Sequence, residues 1–173
     1  MSDQLWLTIR NALHDANDNI KAGTSIDRGK SCFWTRSIKK ELCSAGRKSS
    51  FYTCASEVDG CAHNGEWLYD VSWVSYGKNG FQEDPEKRSF EKVVLAVESE
   101  WAVSKSAALD DFEKLLQTRA DMRLMIFEIK SKDYFDKRLK FLRKKIISCI
   151  PEELEQYRFA GFYEDSAKGL EFC

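Results

Sequence analysis

The sequence predicts one α/β domain: a mixed central sheet flanked by helices. Three observations predict it. The run Val93–Val97, VVLAV, is apolar on both faces, as in a central strand covered from both sides. Residues 66–74, EWLYDVSWV, alternate Trp67, Tyr69, Val71 and Trp73 against Leu68, Asp70, Ser72 and Val74. Residues 133–149 repeat Phe135, Leu139, Leu142, Ile146 and Cys149 at helical spacing.

The elements follow in order. Residues 1–23 carry Leu5, Leu7, Ile9, Leu13 and Ile20 at mixed spacings that suit a helix, and 24–30 read as a loop. Residues 31–46 form a second expected helix, with Phe33, Ile38 and Leu42 apolar and Gly46 as its stop. FYTCASEV (51–58) has strand composition, and Asp59-Gly60 and Asn64-Gly65 are turn dipeptides. After the strand at 66–74, residues 76–89 are rich in turn residues and charge, and a strand follows at 92–101. Asp110 with Glu113 three positions on predicts a reciprocally capped helix start, and the helix runs over 110–118. RLMIFEI (123–129) is a buried strand. Pro151 ends the helix at 133–149, residues 152–157 make a short helical turn, and 157–164 and 169–173 are two last strands. The strand–helix–strand unit over 92–129 has the length of one crossover, which makes those two strands parallel.

A hydrophobic share of 43% can fill a core for one domain over 1–173, and the two prolines and nine glycines argue against a disordered or fibrous chain. The formal net charge of −1 gives no general attraction to nucleic acid, so such binding needs a local basic patch. The N-terminal stretch lacks an apolar signal core, and no apolar run approaches the roughly 20 residues that cross a bilayer. A cytoplasmic protein without membrane contact is expected. The six cysteines contain no C-x-x-C pair, so reduced thiols are expected. Cys54, Cys61 and His63 fall close together but lack the four ligands and recurrent spacings of a zinc site; small buried thiols beside a loop, and a surface histidine, are the expected reading.

The chemistry-bearing feature is Glu98-Ser99-Glu100 at the end of the apolar run. Period-two alternation puts Glu98 and Glu100 on the face that holds Val94 and Ala96. Carboxylates beside a core need an arginine or lysine, a proton or a divalent metal. Asp70 lies on the preceding strand; if the strands are neighbours, Asp70, Glu98 and Glu100 converge. Hard oxygen ligands of this kind suit Mg²⁺ or Mn²⁺, which can deliver hydroxide and brace a phosphate. The alternative is a strand end that emerges into solvent and pairs with Arg119 or Arg123.

The order strand with Asp70, loop, strand with Glu98-Ser99-Glu100, helix, strand resembles the PD-(D/E)xK nuclease superfamily over about residues 31–130. The resemblance implies a restriction-endonuclease-like core, with the helix at 133–149 and the short strands after it as an addition over 133–173. It implies hydrolysis of DNA phosphodiesters with Mg²⁺ or Mn²⁺. Asp70 matches the first acid, Glu98 the second, and Glu41 an acid on the helix ahead of the core. Glu100 stands where the family has lysine, as a third ligand or the group that orients water, and Lys105 and Lys114 follow close behind. Nucleases of the restriction type often act as homodimers. A second reading keeps the fold without catalysis, as a module that binds nucleic acid or protein.

Lys137, Lys140, Arg143 and Lys144 belong to a basic run on the polar face of the helix at 133–149. They read either as an ordinary solvated face or as phosphate-backbone contacts. Trp67, Trp73 and Trp101 flank the acids and are expected in the core, with base stacking as the alternative.

Overall fold

A central strand hydrogen-bonded on both sides organises the molecule. The structure is a computed structural model that describes residues 2–23, 30–58, 61–65, 68–78, 80–101 and 105–173. Its elements are α1 (Ser2–Ala22), α2 (Lys30–Lys48), β1 (Tyr52–Ala55), β2 (His63–Asn64), β3 (Val71–Tyr76), β4 (Phe90–Glu100), α3 (Lys105–Leu116), β5 (Ala120–Ile129), α4 (Lys132–Cys149), β6 (Tyr157–Tyr163) and β7 (Leu170–Phe172). The strands form one sheet in the order β2-β1-β3-β4-β5-β6-β7. β1, β3 and β4 pair antiparallel, β4, β5 and β6 pair parallel, and β7 returns antiparallel. The expected crossover from β4 through α3 to β5 is therefore present in a mixed sheet. The expected loop at 24–30 up to residue 29, the Asp59-Gly60 turn, and Trp67 lie outside the described residues.

Helices cover both faces. α1 and α2 pack with Val71, Trp73, Leu95, Val97, Leu124 and Ile126 in one core layer. α3 and α4 pack with Ala96, Met125, Phe127 and Phe159 in the other. Leu95, Val97, Leu124 and Ile126 stand opposite Ala96, Met125 and Phe127 by strand alternation, which explains why the central strands are apolar throughout.

Four details depart from the expectation. Gly46 does not stop α2, which continues to Lys48. A Cβ there would lie 2.6 Å from Thr53 Cγ2 and 2.7 Å from the Trp73 ring, so this glycine serves the close approach of helix to sheet. The helix ends instead at Ser50, whose φ of 64° gives the left-handed turn, with the Phe51 N–H donating to the Gly46 carbonyl. α3 begins at Lys105, so Asp110 is an interior residue and not the N-cap. Strand β3 begins at Val71, leaving Leu68 to Asp70 as a bend before it. A register shift between Trp73 and Val74 against β4 moves Val94 into the α1/α2 layer, away from the Ala96 face.

The cysteines also need correction. Cys43 and Cys61 form a disulfide, with Cα atoms 5.4 Å apart, although reduced thiols were expected throughout. The fold brings α2 against the segment leading into β2, a contact that residue spacing does not reveal. A disulfide belongs to oxidising surroundings, so the thiol argument for a reducing compartment fails at this pair. Cys54 is a buried thiol, as expected, and burial pushes its pKa up to about 11. No helix among the described residues is long and apolar enough to cross a membrane.

Candidate functional site

The site forms where β3 begins and β4 ends. Val71 pairs with Val97 in the antiparallel ladder, so the residues just outside that pair, Asp70 and Glu98, are brought opposite each other. Asp70 Oδ2 accepts from the Ser99 backbone N–H at 2.8 Å and from the Ser99 hydroxyl at 2.6 Å. This clamp closes the mouth of the ladder. Lys39, on α2, brings its Nζ to 3.5 Å from Asp70 Oδ1 and donates to Ser56 Oγ at 3.1 Å. Only 7% of the Lys39 side chain is exposed, so this ammonium is almost wholly withdrawn from water. Burial of that kind requires a counter-charge, and Asp70 supplies it.

Glu98 points to the other layer. It pairs in register with Met125 of β5, whose side chain belongs to the α3/α4 core. Its residue is 3% exposed, and its Oε1 is buried without a hydrogen bond among the described residues. Lys114 on α3 stands 3.5 Å from that oxygen, too long for a hydrogen bond, and lies closer to Asp111, at 2.7 Å. Burial raises the Glu98 pKa to about 8; the negative charges of Asp70 and Asp111 add to the rise, and Lys114 opposes it. The contact with Asp111, and then the proximity of Glu98, hold the Lys114 pKa above its usual value. The two acids therefore differ in their surroundings. Asp70 is fixed by donors and a cation, whereas Glu98 holds a proton well into the neutral range.

Asp70 and Glu98 are hard oxygen donors at the same end of neighbouring strands, with their nearest cations in opposite helix layers, and one Glu98 oxygen lacks a hydrogen-bond donor among the described residues. Carboxylate oxygens are the donor type that Mg²⁺ or Mn²⁺ takes, through one or two carboxylates with several waters kept. Among the described residues, no three or more His, Cys, Asp or Glu side chains are grouped to hold a metal ion.

The other expected residues are distributed as follows. Glu100 lies two positions beyond Glu98, half-buried, in register with Phe127. Glu41 accepts from Asn19 of α1 at 3.0 Å, and the α2 residue that reaches Asp70 is Lys39 instead. Lys137, Lys140, Arg143 and Lys144 lie on the solvent side of α4, which packs on β5, one strand beyond β4. Lys137 pairs with Asp133 at 2.7 Å, and Arg143 donates to Cys173 Sγ at 2.7 Å. The Lys105 side chain lies outside the description. Arg123 does not pair with Glu98 or Glu100: it is buried, donates to the Thr118 carbonyl and Gln156, and pairs with Glu153 at 2.7 Å. Trp73 is fully buried, Trp101 is partly exposed, and His63 is exposed, as a surface side chain should be.

Sequence reasoning missed Lys39, Ser99 and Asp111. The sequence held a signal for the first. Lys39, Cys43 and Gly46 share one helical stripe at i, i+4 and i+7, so the face that Gly46 brings against the sheet carries Lys39 with it. Glu41, two positions on, faces elsewhere by the same rule. Comparison with family models, with curated proteins and with solved structures finds no match to this chain.

Proposed function

We propose that this chain is a divalent-metal-dependent nuclease that hydrolyses DNA phosphodiesters, with a core of the PD-(D/E)xK kind. The observation that carries the reading is the placing of Asp70 and Glu98 at the same end of neighbouring strands, each beside a lysine, Lys39 from one helix layer and Lys114 from the other. The element order α2, β1, β3, β4, α3, β5, with β4 and β5 parallel, is the order the resemblance requires. Glu100 occupies the usual lysine position of that resemblance. The two lysines offer replacements in space for a cation that is missing in sequence.

Asp70 and Glu98 are the residues that would hold the metal. A divalent ion supplies Lewis-acid polarisation of the phosphate and lowers the pKa of its bound water. The chain contributes the rest. Ser99 fixes the rotamer of Asp70 through two hydrogen bonds. Lys39, buried and oriented, presents a fixed positive charge beside that carboxylate, suited to the developing charge of a phosphoryl oxygen. Lys114 is half exposed and able to turn toward substrate or water. The test is Mg²⁺- or Mn²⁺-dependent cleavage of DNA that disappears in Asp70→Asn while folding is retained; undiminished cleavage by that variant would contradict the reading.

A second reading keeps the fold and drops the chemistry. It is favoured by the state of the acids: Asp70 is already engaged by Ser99 and Lys39, and Glu98 is protonated near neutrality. On that reading the cluster is a closed structural lock, and the chain binds nucleic acid or protein without cutting.

A further inference from the structure

A cleft of about 250 Å³ opens beside Lys39, between α2 and the segment that follows β1. We infer that this cleft receives one unpaired nucleotide of a DNA strand, its base on the Trp101 indole and its phosphate on Arg36, with the Lys39 charge behind it. The choice of DNA rests on the nuclease reading above; the shape and chemistry of the cleft are separate observations.

Trp101 directly follows Glu100 and lines the cleft while partly exposed. Three contacts hold its ring. It meets Trp34 edge-on at 5.3 Å and Phe162 edge-on at 5.9 Å, and its Nε1–H donates to Thr35 Oγ1 at 2.7 Å. A preset indole loses little freedom when a planar group stacks on it, which is how single strands are bound without sequence preference. Arg36 and Lys39 line the same cleft, along with the hydroxyl residues Thr35 and Ser56. Arg36 uses its Nε for the Glu57 carbonyl, at 3.2 Å, which orients the guanidinium; among the described residues lining the cleft, Glu57 is the one acid. A platform, two cations and hydroxyl groups in one small space match the parts of a nucleotide. A cleft of this volume is of the size that takes one base, and a base can reach the indole face only when it is not paired. Lys39 is shared with Asp70, so a nucleotide seated in the cleft lies next to that acid.

Two experiments test this. The first is anisotropy of a fluorescein-labelled thymidine decamer, and of a blunt duplex of equal length, with chelator present so that no cleavage occurs. The expected result is preference for the single strand, and weakening of that binding by roughly 5- to 150-fold in Trp101→Leu, the loss that removal of one base–aromatic stack produces. Preference for the duplex, or unchanged single-strand binding by a folded Trp101→Leu, overturns the inference. The second needs no variant. Cys32 is an exposed free thiol lining the cleft, and Cys149 is an exposed free thiol on α4. The decamer should slow maleimide labelling of Cys32 and leave that of Cys149 unchanged; equal labelling of Cys32 with and without DNA overturns it. A chain that cuts DNA yet fails both tests keeps the nuclease reading and loses this cleft. A chain that passes both yet never cuts with metal loses the catalytic reading alone.

Discussion

Lys39 Nζ lies 3.5 Å from Asp70 Oδ1, joining the middle of α2 to the first turn before β3. The pair is poorly exposed, at 7% and 21% of the two side chains, so the ammonium has little water to replace its partner. Exchange of Lys39 for Met should destabilise the fold by about 1–3 kcal/mol, less than the loss for a fully buried pair. Asp70→Asn and the double variant complete a cycle, and urea midpoints should give a coupling of about 0.5–3 kcal/mol. Additive effects would show that the two charges do not sense each other.

The pH dependence of stability should carry the mark of Glu98. Its pKa rises from 4.5 in the unfolded chain to about 8 in the fold, because burial and the charge of Asp70 disfavour the carboxylate. Between those values the folded state binds the extra proton. Its stabilising effect is complete below pH 4.5 and is lost as the pH climbs through 8. Denaturation of the wild type should therefore become easier by a few kcal/mol over this interval. Glu98→Gln, which cannot ionise, should flatten the profile and unfold later than the wild type at pH 9. A parallel loss of stability in both proteins would assign the pH dependence to other groups.

Much of this fold is legible in the sequence because its signals are local. The apolar run at Val93–Val97 demands cover on both faces, and α1/α2 and α3/α4 provide it. The helix at 133–149 is capped by Ser131, whose hydroxyl accepts from the Tyr134 N–H at 3.2 Å. The departures arise where tertiary contact overrides a local cue. Gly46 reads as a helix stop, but its missing side chain admits Thr53 and Trp73. Asp110 and Glu113 spell a cap, yet Ala108 and Leu109 sustain helix one turn earlier, with Ala108 buried.

The candidate site divides in the same way. Glu98 and Asp70 could be named because strand alternation and the element order are sequence properties. The partner of Lys39 and the role of Ser99 could not, since they depend on how α2 crosses the sheet and on which atom Asp70 meets across the ladder. Arg123 shows the converse: a cation near the acids in sequence is taken up by Glu153, Gln156 and the Thr118 carbonyl.

The Cys43–Cys61 disulfide closes a loop with a sequence separation of 18. Loop closure of that size is worth about 3 kcal/mol. Adding dithiothreitol should lower the wild-type unfolding free energy by this amount, seen as an earlier urea midpoint, and a variant with both cysteines replaced by Ser should show the lowered midpoint with no response to the reductant. An unchanged wild-type midpoint would mean that the bond adds nothing to the fold in solution.

The most direct test of the Asp70–Glu98 pair as a metal site is a calorimetric titration of the wild type with Mn²⁺ beside Glu98→Ala, each checked for an intact fold. The account predicts saturable binding by the wild type, with release of the Glu98 proton at pH 7, and loss of that binding in the variant. Equal binding by both proteins, or none by the folded wild type, would contradict it.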